Sequence, residues 1–495
     1  MESVSAPRRR SAVRSGLLTG LAQVVIALAA AGAGALLAHK FGRTAETDGF
    51  LGAYAVYLVL VFAAQSFRMV VVPDLTRAAA AGRLGGETRA FAVAILTLAV
   101  PTCIAVGLLA RPLGDLLTGK LPPQAAHVAA RALVVLVPAA FGQLLAALAA
   151  GALAALDSYG TAALGFALGG ISGLIVFAAL ADAHGVVALA WGLSVNAVIA
   201  LTVTVIGLRR RHGLGGAWPE RLELGPKLWH LVQGSAVPVA LSGCYLLTLR
   251  LAAYLGVGRV SSFSYAYLAA STIVGATAFS LGLISSAPLT RRGIDPVAAG
   301  RHVVDAAWVS LVLAGPVAGI VALVGGRIMG VLLGSAYSGS VGRQLGHLVV
   351  YLALWMLAWV CFAVTFPLVF VAEKRRMLVP LALAGFLVAI PVGLALRSLW
   401  GLDGLAVALG LAASVIAAGL IATLSWQTLE IAAAGLARLA LVVGGATVLA
   451  FGVASLFLSP IPAALAGAVV YVGIVYALRS LGLSEAWSYV RGLHQ

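Results

Sequence analysis

The sequence predicts an all-α polytopic membrane protein of about fourteen transmembrane helices. They are expected to form two six-helix lobes related by a pseudo-twofold along the membrane normal, followed by two C-terminal helices. Three observations carry this prediction. First, 62% of the 495 residues are apolar, 10% are charged and the mean hydropathy is +1.07. Soluble domains carry about 25% charged residues, and a soluble chain this apolar could not cover its own surface. Second, apolar runs of about 20 residues, the length of a membrane-crossing helix, recur along the chain, without the short alternating segments of a transmembrane barrel. Third, short motifs recur at one offset. A soluble enzyme, a secreted module and a disordered chain are thereby excluded.

The expected spans of the first half are residues 16–38, 49–72, 90–110, 132–156, 160–181 and 185–207. Those of the second half are 231–255, 260–287, 303–326, 347–372, 378–399 and 404–424, and two more follow at 438–458 and 461–479. The first run follows Arg8-Arg9-Arg10 and Arg14 and is longer than the apolar core of a signal peptide, so it reads as an uncleaved helix. The domain boundaries expected from this pattern are an N-lobe at 1–207, an inter-lobe loop at 208–230, a C-lobe at 231–424 and a C-terminal part at 425–495. No gap between spans is long enough for a soluble catalytic domain.

Charge placement predicts orientation. With both termini cytoplasmic and an even span count, 21 of the 32 basic residues fall on the inside and nine on the outside, while Arg68 and Arg250 fall within spans. This asymmetry follows the positive-inside rule. It also accounts for most of the formal charge of +16 without nucleic acid, because the basic residues are spread over loops with no interleaved aromatic platform. The skew to arginine over lysine fits a GC-rich bacterial genome, and the expected location is a bacterial cytoplasmic membrane. Cys103, Cys244 and Cys361 lie inside apolar runs and read as small buried hydrophobes.

The recurring motifs are Val72-Pro73-Asp74-Leu75-Thr76-Arg77 after the second span and Ala287-Pro288-Leu289-Thr290-Arg291 after the eighth. At nearly the same offset Gly42 matches Gly256, Phe50 matches Phe263, Pro101 matches Pro316, and the hairpin at Asp157 matches the hairpin at Glu373-Lys374-Arg375. Six spans per repeat give both halves the same orientation, the pattern of transporters built around a central cavity.

Residues Ala38-His39-Lys40-Phe41-Gly42, Thr47-Asp48-Gly49-Phe50 and Val72-Pro73 resemble the start of the MurJ (MviN) family of lipid II flippases, within the multidrug/oligosaccharidyl-lipid/polysaccharide (MOP) exporter superfamily. Arg250-Leu251-Ala252-Ala253 through Tyr265-Ala266 is similar to that family's seventh and eighth helices, and Val371-Ala372-Glu373-Lys374-Arg375 to its tenth-to-eleventh hairpin. The resemblance implies two lobes around a cationic cavity and a C-terminal lipid-accessible groove. It also implies alternating-access translocation of an undecaprenyl-pyrophosphate-linked peptidoglycan precursor. In place of the family's first-helix arginines this chain has Gly20-Leu21-Ala22-Gln23. Its second helix carries Leu58-Val59-Leu60-Val61 instead of a basic pair, and its eighth reads Tyr265-Ala266-Tyr267-Leu268. The expected partners are a lipid-linked oligosaccharide and membrane lipids, with the oligomeric state open and a monomer compatible.

The substrate-cavity candidates are Arg250, Arg68, Asp48, Gln23 and Gln65. A charge in mid-bilayer costs about 2.5–3.5 kcal/mol, so a membrane arginine either serves a ligand or snorkels to the interface. Both readings stand for Arg250 and for Arg68. Asp48 reads as a helix cap or as a cavity carboxylate. Gln23, Gln65, Gln143, Asn196 and Gln233 read as interhelical glue or ligand contacts. Pro101, Pro138, Pro238, Pro316 and Pro367, with Pro391, read as hinges or fixed kinks.

No nucleotide loop, metal-ligand spacing or cofactor motif occurs, so no catalytic role and no cofactor are expected. No carboxylate lies deep in a span, Asp305 near the start of the ninth coming closest. This weighs against a MATE-like, cation-coupled drug exporter. A polysaccharide-lipid flippase and a non-transporting membrane scaffold are also compatible with the span and charge pattern. Export of a dianion from a negative-inside cell would gain about 4–5 kcal/mol at 100 mV, which makes the membrane potential a sufficient driving force.

Overall fold

The computed structural model describes residues 6–211, 214–215, 224–274 and 295–492, with the side chains of 6–19, 65–70 and 489–492 outside that description. Among these residues every regular element is a helix. In the first half they are α1 (Ala6–Phe41), α2 (Ala45–Ala80), α3 (Leu84–Leu108), α4 (Ala110–Thr118), α5 (Pro123–Ala155), α6 (Tyr159–His184) and α7 (Ala188–Arg210). The second half comprises α8 (Leu224–Ala252), α9 (259–274), α10 (Pro296–Leu333), α11 (Gly339–Tyr351), α12 (Ala353–Val371) and α13 (Leu378–Leu424). The chain closes with α14 (Trp426–Phe457), α15 (Pro460–Ala477) and the short α16 (Leu483–Gly492).

Eleven helical segments among the described residues are long and apolar enough to cross a membrane. Two of them, Tyr159–Arg210 and Arg375–Leu424, are each a hairpin of two spans. In the first, Gly185 at φ 60° and a 3-10 turn separate α6 from α7. A Cβ at Gly173 would stand 2.6 Å from the Gly192 oxygen, and one at Gly165 would stand 3.3 Å from that of Ala200, so the two helices run antiparallel in near-backbone contact. In the second, Gly401 at φ 59° divides α13, and Gly385 and Gly419 lie against Ile416 and Leu381 of the opposite limb. With each hairpin counted as two spans, and with α9, described over 259–274, standing where the eighth is expected, the helices fall at the positions of the fourteen expected spans. The chain is an all-α multi-pass membrane protein.

Several helices start before their expected spans, α5 at Pro123 and α14 at Trp426 among them, and three further departures are of another kind. The segment after span three forms a separate helix, α4, because Gly119 at φ 60° ends it before Pro122-Pro123 starts α5. The span expected at 185–207 begins at Ala188, after the 3-10 turn. The span expected at 347–372 is interrupted near Leu352, which separates α11 from α12.

The repeat is written in the backbone. Left-handed residues fall in matching pairs: Gly42 and Gly256, Gly119 and Gly334, Asp157 and Glu373, Gly185 and Gly401. Each sits in the turn between corresponding helices. The motif at Pro288 lies outside the described residues.

The chain forms two compact units, Met1–Ser242 and Gly243–Gln495. In the first, α5 is central and packs against α2, α3, α4 and α7, while α1 packs on α6. Alanine makes this possible: every residue from Ala146 to Ala154 is buried. A Cβ at Gly49 would meet the Ala125 oxygen at 2.1 Å, and Gly151 faces Val72 and Leu75, so α2 and α5 run parallel at close range. Lys227, in the first turn of α8, pairs with Glu87 at the start of α3 and lies 4.3 Å from the centre of the Phe91 ring.

In the second unit α10 packs on α14, with Gly300, Gly315 and Gly319 receiving Ile431, Thr447 and Phe451. The Tyr471 hydroxyl of α15 donates to the Val312 oxygen at 2.9 Å. An aromatic stack fills the space along α12: Tyr245, Tyr267, Trp355, Trp359, Phe362, Phe366 and Phe370, each ring centre 3.9 to 5.4 Å from the next. Side chains at intervals of three or four keep the rings on one face of the helix.

Candidate functional site

Arg250 lies in the last turn of α8, which continues through a 3-10 turn to Gly256 at φ 110°. Tyr254 follows four residues later, on the same face. The Arg250 guanidinium carbon stands 4.7 Å from the centre of the Tyr254 ring. Its Nη1 is buried and has no hydrogen-bond partner among the described residues. A buried unpaired guanidinium nitrogen is costly, since each of its hydrogens is a donor that water would otherwise satisfy.

A second cation reaches the same ring. Arg397 of α13 has its guanidinium carbon 5.2 Å from the Tyr254 ring centre. Helix register explains the meeting. A Cβ at Gly393 would stand 2.9 Å from the Leu251 Cδ1. Further along, Gly243 likewise faces Phe386, so α8 and the first limb of α13 run parallel at close range. One turn beyond Gly393 is Arg397, and about one turn beyond Leu251 is Tyr254. Among the described residues neither arginine is in an ion pair; the pairs there are Lys40–Asp182, Arg77–Asp74 and Lys227–Glu87. Nearby Arg259 is engaged elsewhere, donating from Nη1 to the Gln344 Oε1 at 3.0 Å.

The other candidates are not gathered at this point. Asp48 is buried, 1% exposed, in the first turn of α2. Its reading as the helix cap is corrected: the cap is Thr44, whose side chain accepts from the Thr47 amide at 3.2 Å. The cap must precede the first helical residue, and α2 begins at Ala45, earlier than the apolar run indicates. Gln23 on α1 is exposed. Gln65 and Arg68 lie on α2, but their side chains are outside the described residues. Gln143 and Gln233 are buried, and the Asn196 Oδ1 is buried without a hydrogen-bond partner against Gly169. Pro101, Pro138, Pro238, Pro316, Pro367 and Pro391 each sit within a helix that continues past them. Cys244 and Cys361 are buried and Cys103 is half-buried, all as free thiols.

The sequence offers Arg250 as a candidate but does not announce the two side chains beside it. Tyr254 carried a usable signal, its four-residue spacing from Arg250. Arg397, two residues before the end of the span expected at 378–399, counts in the sequence only among the nine basic residues on the outside, because nothing local to it announces the neighbouring helix.

Among the described residues no group of three histidine, cysteine, aspartate or glutamate side chains comes together to hold a metal ion. At the Tyr254 ring the side chains brought together are two guanidiniums, whose N–H groups are donors able to serve an anion.

No family model matches the chain, and no curated protein matches it by sequence. Solved structures match it by fold. One is a lipid II flippase MurJ in an inward closed conformation, with a TM-score of 0.69 at 16% identity over 94% of this chain and 99% of that one. Another is an inward-facing multidrug resistance MATE family transporter of the MOP superfamily, with a TM-score of 0.61 at 15% identity over 82% and 95%. A MOP superfamily transporter from Pyrococcus furiosus matches with a TM-score of 0.52 at 13% identity over 87% and 96%. The fold is thus the one that these transporters share.

Proposed function

We propose that the chain is a membrane transporter that moves an anionic lipid-linked glycan, of the undecaprenyl-pyrophosphate class, between leaflets by alternating access. In this reading it performs no covalent chemistry. Residues 1–207 and 231–424 act as the two lobes, joined by the loop at 208–230, and both termini face the cytoplasm of a bacterial cell. The fold match to a lipid II flippase over nearly its whole length supports the class. The observation that carries the cargo is Arg250, an arginine of a membrane helix with a buried Nη1 that has no partner among the described residues. Such a group is expensive in an apolar setting and becomes favourable when an anion accepts its hydrogen bonds.

The test is complementation. The wild-type chain is expected to rescue growth of a bacterium depleted of its own lipid II flippase, and Arg250→Ala is expected to fail at equal membrane abundance. Rescue by Arg250→Ala would remove the arginine from the mechanism, and failure of the wild type would exclude lipid II as cargo. Drug export is the second reading, favoured by the MATE match. It predicts raised resistance to cationic drugs on overexpression.

A further inference from the structure

We propose that the first unit carries a binding site of its own, separate from Arg250, for a small zwitterion: an amino acid or short peptide with a free ammonium and a free carboxylate. Glu46 takes the ammonium and Arg131 the carboxylate. The site lies wholly within Met1–Ser242 and does not depend on the transport reading above.

The local sequence builds the site. Thr44 caps α2, and Glu46 stands exposed in the first turn. Pro123 starts α5, and Gln124, His127 and Arg131 follow at spacings of three and four, along one face of the helix. The close approach of Gly49 to the Ala125 oxygen brings these two helix starts together. His184 ends α6, and Gly185 at φ 60° leads into the 3-10 turn, which packs on α2 and α5. These segments line a concavity of about 410 Å³, a volume suited to a small ligand. Its floor is Val128, Val186 and Val187, all buried, and its polar wall is Glu46, Gln124, His127, Arg131 and His184, all exposed. Among the described residues none of these five side chains is in a hydrogen bond or an ion pair.

The repeat sharpens the contrast. In the second unit the elements that match α2, α5 and this turn are α9, α11 and the residues after Gly401. There Arg259 of α9 already donates to Gln344 of α11 at 3.0 Å. The first unit leaves its polar groups open to a ligand. Glu46 and Arg131 line one concavity without pairing, so a ligand of a single charge meets one attractive and one repulsive group. A molecule that carries both charges satisfies both. The imidazoles and the Gln124 amide donate and accept, which suits a peptide group, and the valine floor suits a small aliphatic side chain.

In the orientation inferred from the basic residues, the concavity opens outside the cell. The experiment is calorimetric titration of the purified full chain in detergent with alanyl-alanine, with its N-acetyl form and with its C-terminal amide. The free dipeptide is expected to bind at millimolar concentration, and blocking either end is expected to weaken binding by about tenfold or more. Glu46→Gln should bind the dipeptide and its N-acetyl form about equally while still discriminating against the amide. Arg131→Gln should bind the dipeptide and its amide about equally while still discriminating against the N-acetyl form. The discrimination that each variant keeps reports that it is folded. Absence of dipeptide binding to the wild type overturns the proposal. Binding of the N-acetyl form as tight as that of the dipeptide makes this an anion site, and equally tight binding of the amide makes it a cation site; either overturns the zwitterion. Unchanged discrimination in both variants overturns the assignment to Glu46 and Arg131. Each of these outcomes leaves the transport reading intact, because Arg250 lies in the other unit.

Discussion

Asp157 and Glu373 hold the same left-handed conformation, φ 56° and 57°, and are the only non-glycine residues among those described to do so. Each closes a helix in the same way. Ser158 donates its amide to the Leu153 oxygen at 2.9 Å, and Lys374 donates to that of Val369 at 3.1 Å. Asp157 and Glu373 themselves donate to Ala154 and Phe370. This is the Schellman closure, whose left-handed position ordinarily falls to glycine. A side chain there costs about 1–2 kcal/mol, less for aspartate, which tolerates the region better than glutamate.

Glu373→Gly should therefore stabilise the protein by about 1 kcal/mol, and Asp157→Gly by less. The check is thermal unfolding in detergent. A lower Tm for Glu373→Gly would mean that the glutamate side chain contributes more than its backbone costs.

Glycines at the helix contacts should respond oppositely according to what faces them. Gly49→Ala places a methyl 2.1 Å from the Ala125 oxygen, a backbone atom that cannot swing aside. It should destabilise by about 1–3 kcal/mol. Gly444→Ala on α14 meets nothing within 4 Å and should be neutral or stabilising by up to about 1 kcal/mol. Unfolding temperatures of the two variants, compared side by side, test whether the α2–α5 contact is as close as described.

Removing the pairing charge in Glu87→Gln should loosen the start of α8, because the Lys227 side chain, only 16% exposed, loses its carboxylate partner. The expected cost is about 1–3 kcal/mol, with faster amide exchange in residues 84–91 and 224–230. Unchanged exchange in both segments would show that the pair is not what holds α8 against α3.

Sidedness can be read with single cysteines in a background lacking Cys103, Cys244 and Cys361. Cysteine at Arg376 should be shielded from a membrane-impermeant maleimide in intact cells, and cysteine at Arg343 should label. The reverse pattern would invert the orientation inferred from the basic residues.

Composition and local pattern determined much of this protein. A chain so apolar has to satisfy its backbone within each span, and that leaves helices as the solution. Span number, hairpin positions and the repeat follow from apolar run lengths and from glycines at fixed places, all of them local signals. Arg250 was legible for the same reason, as a charge in an apolar run. What only the tertiary structure decided is which residues meet. That Arg397 shares the Tyr254 ring with Arg250 depends on the register of α13 against α8, set where Gly393 admits Leu251. That Thr44 rather than Asp48 caps α2 depends on where that helix starts, several residues before its apolar run. Contacts between helices distant in sequence arise from packing that no single segment encodes, which is why the candidate anion site appeared in the sequence as one arginine and in the fold as two.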